Sequence, residues 1–397
     1  MVFLAIVIGI LSTMYGYVGW RIIIPAGFVY PWNLILWLLI AALLILPFLP
    51  LVLRFYKIEK SWLDLLSWIG YIGLGFFFLT FILLLLRDLG WLIVIAGGKT
   101  YVLISSIFSH LPGRIAGADP ISRTLVLNYL NLGIVSLSAG LTVYGLFSAR
   151  RRPRMVEISI PIPDLPDDLA SLRIVQITDI HVGPTIKKNF VQAIVDSVNA
   201  LDPDIIAFTG DLADGTVAHL RNDVEPLNDL KAHYAKYFIT GNHEYYSGVK
   251  SWLEEISQLG FIVLQNEHQV IEHGHAKILI AGVPDYSGRQ FSKDHAIDMG
   301  KALEGAPQVD ARLLLAHQPR TIYEAASAGF DIQLSGHTHG GQFIPWKYLV
   351  SLEQPYIAGL HKHGPTWIYV SNGAGYWGPP LRIAAPPEIA LIKLIRS

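Results

Sequence analysis

The chain has 397 residues, of which 52% are hydrophobic and 15% charged, with a formal net charge of -1. That balance excludes the strongly basic surface of a nucleic-acid binder, and the length leaves room for two or more domains. With no cysteine, the fold uses neither a disulfide nor a thiolate ligand, so any metal must be held by nitrogen and oxygen.

The average hides a division. Residues 1–149 carry long apolar runs, and thirteen of the fourteen histidines lie after position 150, His110 being the exception. The run 2–20 stops at Arg21 and has the length of about 20 residues that a helix needs to cross a bilayer core. It lacks the basic start and small-residue cleavage site of a secretory signal. Comparable spans are predicted over 32–53, 62–86 and 124–148, with Trp20, Trp32, Trp62 and Trp91 where interfacial aromatic belts are expected. Residues 91–110 hold Gly97, Gly98 and Lys99 at their middle and read either as a fifth span or as an interfacial or re-entrant segment. The reading is therefore an α-helical transmembrane domain over 1–149 with four or five spans. With four, Arg54, Lys57, Lys60 and the run ARRRPR share one side, seven basic residues against five at Arg21, Arg87, Lys99, Arg114 and Arg123. This favours a cytoplasmic C-terminal domain. A fifth span would break this agreement, and an export signal read at Ser122-Arg123 would place the domain outside.

Residues 150–170, with ARRRPR and ISIPIPDLPDD, read as a basic and Pro-rich linker. From 171 to 397, short apolar runs bounded by turn residues alternate with helical patterns at 190–201 and 249–259, an α/β layout. The runs end in polar residues: Asp179 and His181 after LRIVQIT, Asp211 after DIIAFTG, Asn242 and His243 after KYFITG, His317 after RLLLA, and His337 and His339 after IQLSG. Ligand sites of open α/β sheets form beyond the carboxyl ends of the strands, so five strand ends aim polar groups at one place. If the strands simply continue, the two-residue period turns both partners of Asp179-Ile180-His181 and of His337-Thr338-His339 to the same side. Glycines 210, 241, 336, 340 and 341 would permit tight turns and a close approach of substrate. Alone, Asp-x-His also reads as surface or loop chemistry, GD and GNHE as turns with an Asx hydrogen bond, and GHTH as a helix cap or a satisfied histidine; their ordered conjunction points to a metal site.

This conjunction resembles the calcineurin-like metallophosphoesterases, through D-x-H at 179–181, GD-x-x-D at 210–214, GNHE at 241–244, His317 and GH-x-H at 336–339. TDIHVG, TGNHEYY, LAHQP, SGHTHGGQ and APPEIALIKL look like the bacterial branch with a membrane-attached or exported enzyme domain. The resemblance implies a two-sheet β-sandwich flanked by helices. It assigns one divalent ion to Asp179, His181 and His339 and a second to Asn242, His317 and His337, with Asp211 bridging. His243 would stabilise the phosphoryl oxygens or protonate the leaving group, and Asp214 would be structural. Two such ions, about 3.5–4 Å apart, activate a bridging hydroxide as nucleophile and hold the phosphate oxygens. Nitrogen and oxygen ligands suit Mn, Fe or Zn alike.

The expected function is a membrane-anchored phosphoesterase acting on a phosphodiester or pyrophosphate, in a lipid or envelope precursor. Its rivals are a phosphomonoesterase on small soluble substrates and a non-catalytic metal-binding membrane sensor. Hydrolysis of a carboxylic ester or lactam is disfavoured, since no H-x-H-x-D-H cluster is present. Arg289, Arg320, Lys347, His361, Lys362, His363 and Arg382 are candidates to meet a phosphate, and Tyr376 and Trp377 to line the pocket. The residues leave the oligomeric state open.

Overall fold

The computed structural model describes residues 2–55, 62–107 and 120–397, and the chain divides into two compact units, Met1–Tyr144 and Gly145–Ser397. Five helices begin the chain: α1 (Val2–Ala26), α2 (Trp32–Ile45), α3 (Leu49–Phe55), α4 (Trp62–Ile107) and α5 (Pro120–Arg150). Among the described residues three stretches, Ile6–Ala26, Trp62–Gly97 and Leu125–Arg150, are long and apolar enough to cross a membrane. The span expected over 32–53 is instead the 14-residue α2 and the 7-residue α3. Pro47 lies in the break, where its ring and missing N–H disfavour a continuous helix. The segments read separately at 62–86 and 91–110 form one helix as far as Ile107, with no proline to interrupt it; His110 lies outside the described residues. A polar cluster ties three helices. Asp88 of α4 pairs with Arg21 of α1 and accepts from Tyr17, Arg87 donates to Asn131 of α5, and Asn131 donates to the Arg21 carbonyl at 2.8 Å.

In the second unit twelve strands build two six-stranded sheets. The strands are β1 (Arg154–Ile162), β2 (Ile174–Ile177), β3 (Ile205–Phe208), β4 (Ala235–Phe238), β5 (Ile262–Val263), β6 (Glu267–His273), β7 (Ala276–Gly282), β8 (Ala311–Leu315), β9 (Ile332–Ser335), β10 (Gly359–His363), β11 (Thr366–Val370) and β12 (Glu388–Arg396). Their orders are β1-β12-β2-β3-β4-β5 and β10-β11-β9-β8-β7-β6. Strands β2 to β5 run parallel, as do β7, β8, β9 and β11. Side chains alternate between layers: Ala311, Leu313 and Leu315 face the core between the sheets with Ile174, Ile205 and Ile392, while Leu314 faces outward onto Ile322 and Ala325. The helix Lys188–Asn199 covers the outer face of the first sheet through Phe190, Val191, Ile194, Val195 and Val198. The expected sandwich flanked by helices is the architecture observed.

The stretch read as a linker is largely structured. Residues 154–162 form the edge strand β1, paired in parallel with β12 from Arg154 opposite Glu388 to Ile162 opposite Arg396. Edge position tolerates Pro161, which cannot donate to a ladder. In the first sheet Ile177 lies opposite Phe208 and Phe208 opposite Phe238, so β2, β3 and β4 end in one row. Leu315 opposite Leu334 does the same for β8 and β9. That common ending sets the site.

Candidate metal centre

Each candidate ligand follows its strand by no more than four residues: Asp179 and His181 after β2, Asp211 after β3, Asn242 after β4, His317 after β8, and His337 and His339 after β9. They do not face one way because strands continue. The backbone has already left the extended region, with φ of 54° at Asp179, 55° at His181, 55° at Asp211, 71° at His337 and 52° at His339. Five left-handed non-glycine residues in one site replace the strand alternation expected for D-x-H and H-x-H. Such conformations cost about 1–3 kcal/mol each and persist where their surroundings over-determine them. Here the loops brace one another: Asp179 N–H donates to the Gly210 carbonyl at 3.0 Å, His181 N–H to that of Asp211 at 3.2 Å, and His337 N–H to both carboxylate oxygens of Asp179 at 3.0 Å.

Three groups of side chains converge, the ligand atoms within each lying inside 4.8 Å of one another: His181 with Asp211 and His243 links the two that hold the expected ligands, Asp179 with His181 and His339, and Asp211 with His317 and His337. Asp211 Oδ2 reaches both, 3.7 Å from His181 Nε2 and 3.1 Å from His317 Nε2. Asn242 Oδ1 joins the His317 group at 3.0 Å from His337 Nδ1. All the expected ligands are buried except His337, which is partly so.

The donor set fits divalent cations. His317 Nδ1 donates to the Thr209 carbonyl at 2.7 Å, which turns its buried Nε2 toward Asp211 Oδ2; burial opposes the imidazolium, but Asp211 outweighs it and holds the ring well above its usual range, so a cation bound at Nε2 would displace that proton. The Nε2 atoms of His181 and His339 face each other at 3.0 Å. A neutral His339 whose Nδ1 accepts from Arg382 Nη2 at 2.9 Å carries its proton on Nε2, and a cation held by both nitrogens takes that proton's place. Burial, then the charge on His317, pushes the His337 imidazole down to about 3, and burial with Arg382 holds His339 well below its usual value. Both are kept in the neutral, ligating form. Burial works against the carboxylate of Asp211, yet His317 and His243 outweigh it and hold the group well below the usual range; burial raises that of Asp179.

His243 lies beside Asn242, its N–H on Asp211 Oδ1 at 2.9 Å and its Nδ1 2.6 Å from Asp214 Oδ1. The same Asp214 oxygen is 3.1 Å from His181 Nδ1. Burial opposes the His243 imidazolium, but Asp211 and Asp214 outweigh it and lift it to about 9.

Two supporting groups escaped the sequence reading. Glu244, fully buried, accepts from the N–H groups of Gly241 at 2.7 Å, Asp211 at 3.0 Å and Leu212 at 2.7 Å, holding the Asp211 loop to the GNHE turn. The motif contains it; a carboxylate fixed among buried apolar runs was the available signal. Arg382 is corrected from a phosphate candidate to a buried scaffold, donating to the carbonyls of His339 at 2.7 Å, Gly375 at 3.0 Å and Ala385 at 3.2 Å. Tyr376 is likewise a core residue, its hydroxyl on the Thr185 carbonyl at 3.2 Å, whereas Trp377 remains exposed with its ring 5.7 Å from His243. Arg320 lines a separate cavity of about 400 Å³, stacked 4.8 Å over Tyr286. His361, Lys362 and His363 belong to β10 at the edge of the second sheet. Arg289 is exposed, and the Lys347 backbone packs against Gly341.

Residues 172–341 match the family model of the calcineurin-like phosphoesterases. An uncharacterized metallophosphoesterase of Helicobacter pylori is 39% identical over 278 residues, covering 70% of this chain and 73% of its own. A transmembrane protein with metallophosphoesterase domain from Danio rerio is 40% identical over 266 residues, 65% of this chain; the alignment spans 61% of that relative's length. Its counterpart in Bos taurus is 37% identical, over 71% of this chain and 66% of its own. With the paired sheets, the five strand ends and these relatives together, the chain belongs to the calcineurin-like metallophosphoesterase family.

Proposed function

We propose that the protein is a membrane-anchored phosphoesterase with a two-metal centre, hydrolysing phosphodiester or pyrophosphate bonds of a lipid or envelope precursor. The observation that carries the reading is Asp211 Oδ2, which stands between two groups of buried donors. Asp179, His181 and His339 would hold one ion, Asn242, His317 and His337 the other, with Asp211 shared; Mn, Fe and Zn all suit such donors. When bound, the pair supplies an activated water and a clamp for phosphate oxygens. The chain's own residues do the rest. Asp214 takes Nδ1 of His243, leaving Nε2 as the atom that hands a proton to the departing oxygen, and Asp214, which would ligate neither ion, favours the protonated ring.

The test is turnover of bis(4-nitrophenyl) phosphate by the full chain with Mn²⁺, compared with Asp211→Asn. The variant should keep its fold, lose bound metal and lose more than the roughly 10–100-fold that outer-shell changes cost. Full activity with two metals retained would overturn the shared-carboxylate assignment, and no turnover by the unaltered chain would favour the sensor.

With Ile6–Ala26, Trp62–Gly97 and Leu125–Arg150 as the spans, Arg54, Lys57 and Lys60 precede the second and the ARRRPR run follows the third, so these basic residues share a side, which supports a cytoplasmic catalytic unit. Because the chain has no cysteine, Ser397→Cys is a clean probe. A membrane-impermeant maleimide should label it only after the cells are opened, and labelling of intact cells would reverse the assignment.

A further inference from the structure

His243 stands in a corner of rings. Tyr246 meets it edge-on at 5.4 Å and Trp377 at 5.7 Å, and Phe291 continues the wall 5.9 Å beyond Tyr246. Only 13% of the His243 side chain is exposed, yet Tyr246 is 63% exposed, Phe291 52% and Trp377 48%. Single exposed rings need no explanation, but two against His243 and a third beyond Tyr246 form a surface. That surface is also held in place. Trp377 N–H donates to Gln342 Oε1 at 3.0 Å and its carbonyl accepts from Gln342 Nε2 at 2.9 Å, while Gln342 itself is buried and directly follows the GHTHGG turn. A buried amide thus fixes an exposed indole relative to the candidate ligands.

The geometry points to Tyr246, Trp377 and Phe291 as a leaving-group subsite for an aromatic ring or hydrocarbon chain. The inference rests on the role proposed for His243. The group that protonates the departing oxygen lies beside whatever that oxygen carries, and here the rings it meets are those of Tyr246 and Trp377. Stacking and apolar burial would therefore select the leaving group.

Binding of phosphonates, whose P–C bond the enzyme does not cleave, tests this without turnover. With the Mn²⁺-loaded full chain in lipid nanodiscs, and empty nanodiscs as the control for partitioning, calorimetry should find phenylphosphonate and butylphosphonate roughly 10-fold or more tighter than methylphosphonate, since each buried methylene contributes to affinity. Trp377→Ala and Phe291→Ala should bring the larger ligands to within about threefold of methylphosphonate, leaving Mn²⁺ content and methylphosphonate affinity unchanged, while Trp377→Phe keeps most of the preference; Tyr246, whose side chain hydrogen-bonds Asn242, is left in place. Equal affinities in the unaltered chain, or a preference that survives both alanine variants, would overturn the subsite. Failure to bind Mn²⁺ or any phosphonate would instead sink the metal centre, and the subsite with it.

Discussion

Asp214 binds two imidazoles through one oxygen, and its environment shows what that does. Burial alone would raise its carboxyl, but His181 and His243 outweigh burial and hold it well below the usual range. Its charge in turn helps to keep His243 protonated. If His243 is the acid, His243→Ala should retain both metals and cut turnover by the roughly 10²–10⁴-fold typical of general acid–base groups; parallel loss of metal would make it a ligand instead. Asp214→Asn separates holding from charging. The acid works in its protonated form, so activity falls as pH rises through the His243 pKa. Without the Asp214 charge that pKa drops toward the ordinary 6.5 or so, and the basic limb of kcat/KM moves to lower pH. An unmoved limb with reduced metal content would confine Asp214 to orienting His181.

At the scale of elements, the site is made where strands stop. Gly336, first residue after β9, and Gly241, before the GNHE helix, have φ values open to any residue, and their lack of a side chain serves the neighbouring carboxylates. A Cβ on Gly336 would lie 2.1 Å from Asp179 Oδ2 and 2.2 Å from Thr178 Oγ1, and one on Gly241 2.1 Å from Asp211 Oδ1. Gly336→Ala should therefore displace Asp179, costing the roughly 1–3 kcal/mol of an overpacked site and emptying the Asp179 half of the centre while the Asp211 half still takes metal. Two ions bound as tightly as before would show that the loop yields freely. Here the limits of the sequence are visible. The strand ends and their polar residues were legible, because apolar runs that stop at Asp, Asn and His mark both core and site. The left-handed turns were not, since Asp and His, though enriched at positive φ among non-glycine residues, adopt it too seldom to announce it. Arg382 was misread because its partners, His339 and Gly375, are set by the fold and not by its own surroundings. The Pro-rich stretch over 158–163 hid β1, whose alternating isoleucines at 158, 160 and 162 were the signal for a strand.

For the whole molecule, the question is where the catalytic unit begins. The linker reading suggests a soluble fragment of residues 155–397, but residues 145–150, the last turn of α5, belong to the second unit. The Gly145 carbonyl accepts from Arg382 N–H at 3.0 Å, Ala149 is fully buried in the core under the first sheet, and Arg150 donates to the Thr185 carbonyl at 2.9 Å while standing over the Phe190 ring. Cutting at 155 removes all of these, including the bond on the residue that holds His339. A fragment of 145–397 should match the full chain in metal content and in turnover of bis(4-nitrophenyl) phosphate, because every candidate ligand lies within it. The 155–397 fragment should melt several degrees lower, as expected for a loss of about 1–2 kcal/mol, and bind the first-half metal more weakly. Identical melting would show that the helix end contributes nothing to the unit. A second comparison uses the longer fragment with a lipid phosphodiester in vesicles. Tethering raises the effective concentration of a membrane-borne substrate, so release from the membrane should cut the rate on vesicles while sparing the small diester. Equal rates on vesicles, with and without the spans, would leave the lipid assignment without support; equal loss on both substrates, metals still bound, would mean that residues before 145 complete the site.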